Sequence, residues 1–353
     1  MKNILTKVVA FLLASVTLFS LTACKPSHDD APTSKVILFI GDGMGPNHVY
    51  NTELYYGEQM YFSTFEYKTL VDTNSLSGVT DSAAAATAMA TGTRVINSLV
   101  AKDLSGDLTS ITEIAKENKY GTGVVTSDLI TGATPAGFSS HADSRDNASA
   151  ILLSQRYAKL DLLLGSGDYD RYESHFEGEG WTWVEEFDEL SMKKKRFVAT
   201  FDDVVYENGT NEEPTLTQLT TYAIEYMEKH YPTGYFLMIE GAKIDKASHS
   251  NDIETMMKNL MDFNNAVKVA EEKLIASGDA YSIIVTADHE TGKLAKANSK
   301  PYLTDGLYHS AKHTDTPVNL YFSSTLDTVP EIISKNAILN TDIFLLCRYL
   351  LAV

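Results

Sequence analysis

Polar residues suited to holding metal ions flank four apolar runs of this chain. Gly41-Asp42-Gly43-Met44-Gly45 follows the run 36–40, and Thr286-Ala287-Asp288-His289 follows 282–285. Behind 235–239 comes Glu240, then Asp245 and His249, four residues apart and so on one face if the segment is helical. His313-Thr314 stands shortly before 318–322. Mixed carboxylate and imidazole ligands suit zinc, and a carboxylate-rich neighbour suits magnesium. Any one of these residues would pass for a helix cap, a surface group or a core histidine. Such roles do not account for three aspartates, a glutamate and three histidines recurring at the ends of successive runs.

A nucleophile is available in Thr80-Asp81-Ser82-Ala83-Ala84-Ala85-Ala86, where a serine opens an alanine-rich helix predicted over 81–90 and stopped by Gly92. Asp81 or Ser82 fits the ordinary role of an N-cap. The same position suits phosphate chemistry, because the free amides and dipole of a helix N-terminus favour a bound anion. A metal-coordinated serine hydroxyl would ionise near neutral pH, as metal-bound water does, without a separate base. The segment alone leaves both readings open.

The elements that must position these residues follow from the hydrophobic pattern. Short continuous apolar runs at 36–40, 123–125, 235–239, 282–285 and 318–322 indicate strands covered on both faces. Helices are predicted over 81–90, 111–118, 215–229 and 253–276. This alternation predicts an α/β fold: a mainly parallel, doubly wound central sheet with helices on both faces and its ligands beyond the carboxyl ends of the strands. One domain is expected over 35–353, with 165–212, which holds Trp181, Trp183 and the basic run 193–196, as a peripheral insertion.

The first residues read as export machinery. Lys2 and Lys7 precede an uncharged, mostly apolar run over 8–21, and Leu21-Thr22-Ala23-Cys24 forms a lipobox. The expectation is a lipoprotein signal peptide over 1–23, a lipid on Cys24 as the only membrane contact, and a polar tether over 24–34. Lys25, rather than an aspartate, after Cys24 points to the periplasmic face of the outer membrane in a double-membraned bacterium. The second cysteine, Cys347, lies in the apolar stretch 343–351 and reads as a core thiol, so no disulfide is expected. A formal net charge of −18 argues against nucleic acid binding and requires local cations to outweigh the global field for an anionic substrate.

Taken together and in order, Gly41 to Gly45, Thr80 to Ala84, Ala133-Thr134-Pro135-Ala136, Glu240-Gly241 with Asp245 and His249, Thr286 to His289, and His313-Thr314 resemble the alkaline phosphatase family. The resemblance implies a phosphomonoester hydrolase in which Ser82 is transiently phosphorylated, serving phosphate scavenging outside the cytoplasm. It implies Asp245, His249 and His313 as ligands of one Zn2+ and Asp42, Asp288 and His289 as ligands of a second. Asp42, Thr134 and Glu240 would reach a third site, usually Mg2+. Arg145 falls at the phosphate-clamping position, where a guanidinium can hold two phosphoryl oxygens; on its own it reads equally as a surface partner of Asp143 or Asp146. Lys246 corresponds to a position that often approaches the phosphate, or is a solvated helix lysine. The resemblance also suggests a homodimer.

Two departures stand out. The family usually has Asp or His two residues before the threonine, and this chain has Gly132, which weakens the Mg2+ site. Little sequence separates Glu290 from His313, where larger members carry a domain over the site, so an open pocket with broad tolerance for small-molecule phosphate monoesters is expected. The competing classes are a phosphodiesterase or sulfatase of the same superfamily and a binding lipoprotein without turnover. A sulfatase would carry Pro and Arg after its nucleophile, a diesterase more typically a threonine and no clamp.

Overall fold

The computed structural model describes residues 35–299 and 306–353. The expected signal peptide, Cys24 and the tether lie outside the described residues. Ten strands form the central sheet: β1 (Lys35–Gly41), β2 (Tyr67–Asp72), β3 (Gly121–Leu129), β4 (Leu162–Ser166), β5 (Thr182–Val184), β6 (Phe197–Phe201), β7 (Tyr235–Gly241), β8 (Tyr281–Thr286), β9 (Val318–Ser324) and β10 (Ala337–Leu339). Their order is β10-β2-β9-β8-β1-β7-β3-β4-β6-β5. Only β9 runs against the others, pairing antiparallel with both β8 and β2. The mainly parallel α/β sheet expected from the uninterrupted apolar runs is therefore present.

The helices are α1 (Pro46–Tyr56), α2 (Ser82–Thr91), α3 (Ile111–Glu117), α4 (Ala133–Ser139), α5 (Ala148–Gln155), α6 (Glu173–Glu177), α7 (Leu216–His230), α8 (Lys243–His249), α9 (Ile253–Ser277) and α10 (Asn340–Leu351). They cover both faces of the sheet. On β7, Phe236 stacks on Phe138 of α4, whereas the next residue, Leu237, pairs with Gly123, whose opposite contact is Met227 of α7. On that second face Phe39 of β1 meets Phe263 of α9 edge-on. Since successive strand residues point to opposite faces, α4 and the α7–α9 pair lie on opposite sides. Strands β1, β7 and β8 are buried along their whole length, which is why they read as unbroken apolar runs.

Two expectations shift in detail. The segment 165–212, read as a peripheral insertion, carries β5 and β6, which extend the main sheet at one edge. Strand β3 runs to Leu129, well past 123–125, because its polar continuation Thr126-Ser127 is buried and bonded to the end of β7 and the residue after it. Cys347 is buried in α10, as expected of a core thiol. Among the described residues no helix is long and apolar enough to cross a membrane.

Candidate metal centre and nucleophile

All the expected metal ligands gather at the carboxyl edge of β1, β7 and β8, although more than two hundred residues separate Asp42 from Asp288. Parallel pairing does this: Phe39 aligns with Val285 on one side and Ile239 on the other, so the next residues of all three strands emerge together. Gly43 then turns the chain with φ of 69°, and a Cβ there would come within 2.8 Å of Asp245 Oδ1. Only glycine allows that approach without strain. The Gly43 N–H donates to Asp288 Oδ1 at 3.0 Å and holds that carboxylate in place.

Two three-residue clusters result, Asp42–Asp288–His289 and Asp245–His249–His313, each with ligand atoms within 4.8 Å of one another. In the first, His289 Nε2 lies 3.1 Å from Asp288 Oδ2, 3.5 Å from Asp42 Oδ1 and 3.2 Å from Ser82 Oγ. In the second, His249 Nε2 is 3.2 Å from Asp245 Oδ2 and 3.1 Å from His313 Nε2. The stacked rings of His289 and His313, 3.5 Å between centroids, join the two clusters. His313 reaches this place through a short antiparallel pairing of Glu290–Thr291 with His313–Thr314.

The donor atoms fit cations on their own chemistry. His249 Nδ1 contacts the Ala311 carbonyl at 2.8 Å, and His313 Nδ1 contacts the Thr80 carbonyl at 3.0 Å. A carbonyl only accepts, so both rings carry a proton on Nδ1 and turn Nε2 inward. Two inward nitrogens 3.1 Å apart are stable only with a proton or a cation between them. Asp42 Oδ1 is buried without a hydrogen-bond partner, and the buried Asp288 Oδ2 has only the His289 ring nitrogen, at 3.1 Å. Buried carboxylate oxygens left so would be costly without positive charge nearby. The residues present therefore fit the metal ions that the donor set suggests.

The electrostatics agree. Burial, then the charges of Asp288, Asp245 and Glu240, push the Asp42 carboxyl well above the usual range, with Arg145 acting against them. Glu240 is raised to about 8, by burial first; the Thr126 and Thr134 hydroxyls oppose the rise while Asp128 and Asp288 add to it. Burial acts upward on Asp288 and Asp245 too, but the adjacent histidines outweigh it and both are lowered. His249, bonded to Asp245, is raised to about 9, whereas burial lowers His313.

Ser82 begins α2, whose ten residues are all buried. Their small side chains let this helix pack closely on α4 and α10 while keeping its N-terminus at the sheet edge. Asp81 caps the helix by accepting from the Ala84 N–H at 2.9 Å, so the N-cap reading holds for Asp81 and leaves the Ser82 hydroxyl free for the cluster. Arg145 Nη1 lies 3.4 Å from Asp81 Oδ2, above the same helix end, rather than against Asp143 or Asp146. Thr134 sits in the first turn of α4, close enough to Glu240 to lower its pKa. Lys246 does not meet the ligands; its Nζ pairs with Asp128 Oδ1 at 2.5 Å.

Sequence reasoning passed over several supports. Thr291 donates to Asp245 Oδ1 at 2.5 Å and contacts His289 Nδ1 at 3.2 Å, orienting one ligand of each cluster. Its proximity in sequence to His289 was the available signal. His48 is wholly buried, held by Ser248 at 3.1 Å, and burial lowers its pKa to about 4. Thr126 donates to Glu240 Oε2.

The alkaline phosphatase family profile matches residues 33–162 and 175–341. Alkaline phosphatase 3 of Bacillus subtilis is 35% identical over 302 residues, covering 78% of this chain and 63% of that protein. Alkaline phosphatase 4 of the same species is 31% identical over 304 residues, covering 76% and 64%. The matched region thus spans less than two thirds of the length of either relative. The structure of alkaline phosphatase from the Antarctic bacterium TAB5 superposes with a TM-score of 0.78 at 26% identity, covering 90% of this chain and 98% of that one. Two variants of that protein are described with Mg bound in the M3 site. With the profile running through nearly every described element, this chain belongs to the alkaline phosphatase family.

Proposed function

We propose that this chain hydrolyses phosphate monoesters, with Ser82 as the nucleophile. The observation that carries the reading is the Ser82 hydroxyl at a helix N-terminus, 3.2 Å from His289 Nε2 and within the Asp42–Asp288–His289 cluster. Two Zn2+ ions in the two clusters and Mg2+ by Asp42, Thr134 and Glu240 would, when bound, lower the pKa of serine and water and neutralise phosphoryl charge. In the first step Ser82 Oγ bonds to phosphorus, giving up its proton, as the bond to the leaving alcohol breaks and that oxygen gains a proton. In the second, water attacks phosphorus and gives up a proton, the bond to Ser82 Oγ breaks as that oxygen regains its proton, and phosphate leaves. The α2 amides and the Arg145 guanidinium would receive the equatorial oxygens in both steps, and alignment with charge neutralisation is most of what phosphoryl transfer requires. Arg145 favours monoesters, whose terminal phosphate has free oxygens for two of its N–H donors at once. His249, about two-fifths exposed, leaves its cluster open to varied alcohols.

The test is hydrolysis of an aryl phosphate monoester by protein loaded with zinc and magnesium, beside the matching diester and an aryl sulfate. Monoester turnover that vanishes with chelator and in Ser82→Ala is the expected result. A diester preference would move the chain to the sister class of hydrolases, and no turnover with any metal would leave a binding role. Export and anchoring through Cys24 belong to the same reading, supported by the lipobox and preceding apolar run. Cys24→Ala is expected to release the activity from the membrane fraction; unchanged retention there would refute the anchor.

A further inference from the structure

The third cation site is short of one side chain, because residue 132 is glycine. That position offers little room for a substitute: a Cβ on Gly132 would lie 3.0 Å from the Leu129 carbonyl oxygen, which already accepts the Gly132 N–H at 2.8 Å. The end of β3 nevertheless carries a carboxylate, that of Asp128, whose backbone is two hydrogen bonds from Glu240. The Asp128 N–H donates to Thr126 Oγ1 at 3.1 Å, and the Thr126 hydroxyl in turn donates to Glu240 Oε2. Asp42 Oδ1, on a residue 8% exposed, lacks a hydrogen-bond partner, and the Thr134 hydroxyl, on a residue 1% exposed, lies near Glu240. Lys246 closes the arrangement from α8, its ammonium 2.5 Å from Asp128 Oδ1.

We propose that Asp128 is a positioning residue of the third cation site, supplying from β3 the carboxylate that residue 132 lacks. Mg2+ retains several of its waters when protein-bound, and a carboxylate behind them holds the octahedron without touching the ion. Asp128 fills that role for an ion taken up by Asp42, Thr134 and Glu240, and Lys246 neutralises Asp128 from its solvent side. The inference rests on the metal reading of the preceding subsection, and it changes one expectation: Gly132 does not by itself weaken the magnesium site.

The experiment titrates magnesium chloride into zinc-loaded protein and follows both the heat of binding and the rise in Tm, with zinc content measured for each variant. Asp128→Asn is expected to lose about tenfold or more in Mg2+ affinity, the usual cost of removing an outer partner, with zinc content unchanged. Asp128→Glu should recover part of it. Lys246→Ala keeps the carboxylate while breaking the ion pair, so its Mg2+ affinity should stay within about threefold of the parent. Equal losses in Asp128→Asn and Lys246→Ala would mean that the pair only braces the fold, and would overturn the proposal. So would Mg2+ affinity in Asp128→Asn within twofold of the parent. Parent protein that turns over monoesters but shows no magnesium response would overturn the third site alone, whereas absent turnover with intact magnesium binding would sink the phosphatase reading instead.

Discussion

His249 holds its proton up to about pH 9 in the metal-free protein, chiefly because its Nε2 bonds to the Asp245 carboxylate. A zinc ligand must be neutral, so the ion competes with that proton. Zinc affinity at Asp245, His249 and His313 should therefore climb between pH 7 and pH 9, with release of a proton per ion bound in that range. Calorimetry in two buffers of different ionisation enthalpy checks this, and a pH-independent affinity would contradict it. Arg145 allows a second prediction at this scale. Its guanidinium is held over the α2 N-terminus by Asp81, and removing such a preorganised donor costs about 10²–10³ in rate. Arg145→Ala should lose that much in kcat/KM for a monoester. Arg145→Lys should recover only part of the loss, since an ammonium cannot bind two oxygens in a planar fork.

Helices α2 and α4 carry Ser82 and Thr134, and their spacing is set by Gly137, where a Cβ would meet the Ala86 Cβ at 2.8 Å. Gly137→Ala should force the helices apart and cost about 1–3 kcal/mol of stability, the usual range for overpacking. It should also lower turnover, because the nucleophile moves with its helix. Urea unfolding with an unchanged slope and a lower midpoint would bear this out; a midpoint equal to the parent's would show that the helix pair has slack. The edge of the sheet follows the same logic. Strands β1, β7 and β8 fix the depth at which Asp42, Glu240 and Asp288 emerge, so the site's geometry is a consequence of strand register.

For the whole molecule, the candidate metal centre is a reservoir of unfavourable charge. Glu240, raised to about 8 from an ordinary 4.5, disfavours its charged form in the fold, and Asp42 is raised in the same sense. Stability from such groups is present below the unfolded pKa and is lost as pH rises through the folded one. His249, also raised, adds a loss as pH passes about 9. Asp245 and Asp288 are lowered and contribute a constant amount above the ordinary carboxylate range. Burial lowers His48 and His313, which act in the opposite sense below about pH 6.5, so the metal-free protein should lose thermal stability from about pH 6.5 to pH 9, and the zinc- and magnesium-loaded protein should not. Tm followed against pH with and without chelator tests the sign; parallel curves would refute it.

The chemistry of the centre was legible in the sequence because it is written locally. Asp42, Asp288 and His289 closely follow buried strands, Asp245 and His249 share one helix turn, and Ser82 opens an alanine-rich helix; each signal spans fewer than about ten residues, the range over which periodicity and capping act. Continuous apolar runs likewise determined that the sheet would be mainly parallel and covered on both faces. Only the tertiary structure decided which strands became neighbours. Pairing β1 between β7 and β8, turning β9 against the rest, and adding β5 and β6 at the edge from a segment that reads as an insertion all depend on contacts between distant residues, for which a short strand carries no address. The same holds for the ion pairs. Asp143 and Asp146 lie near Arg145 in sequence, yet its partner is Asp81; Lys246 reads as a residue that approaches the phosphate or as a solvated helix lysine, and in space it meets Asp128. Long side chains choose among the charges that the fold brings within reach, and that choice is made in space.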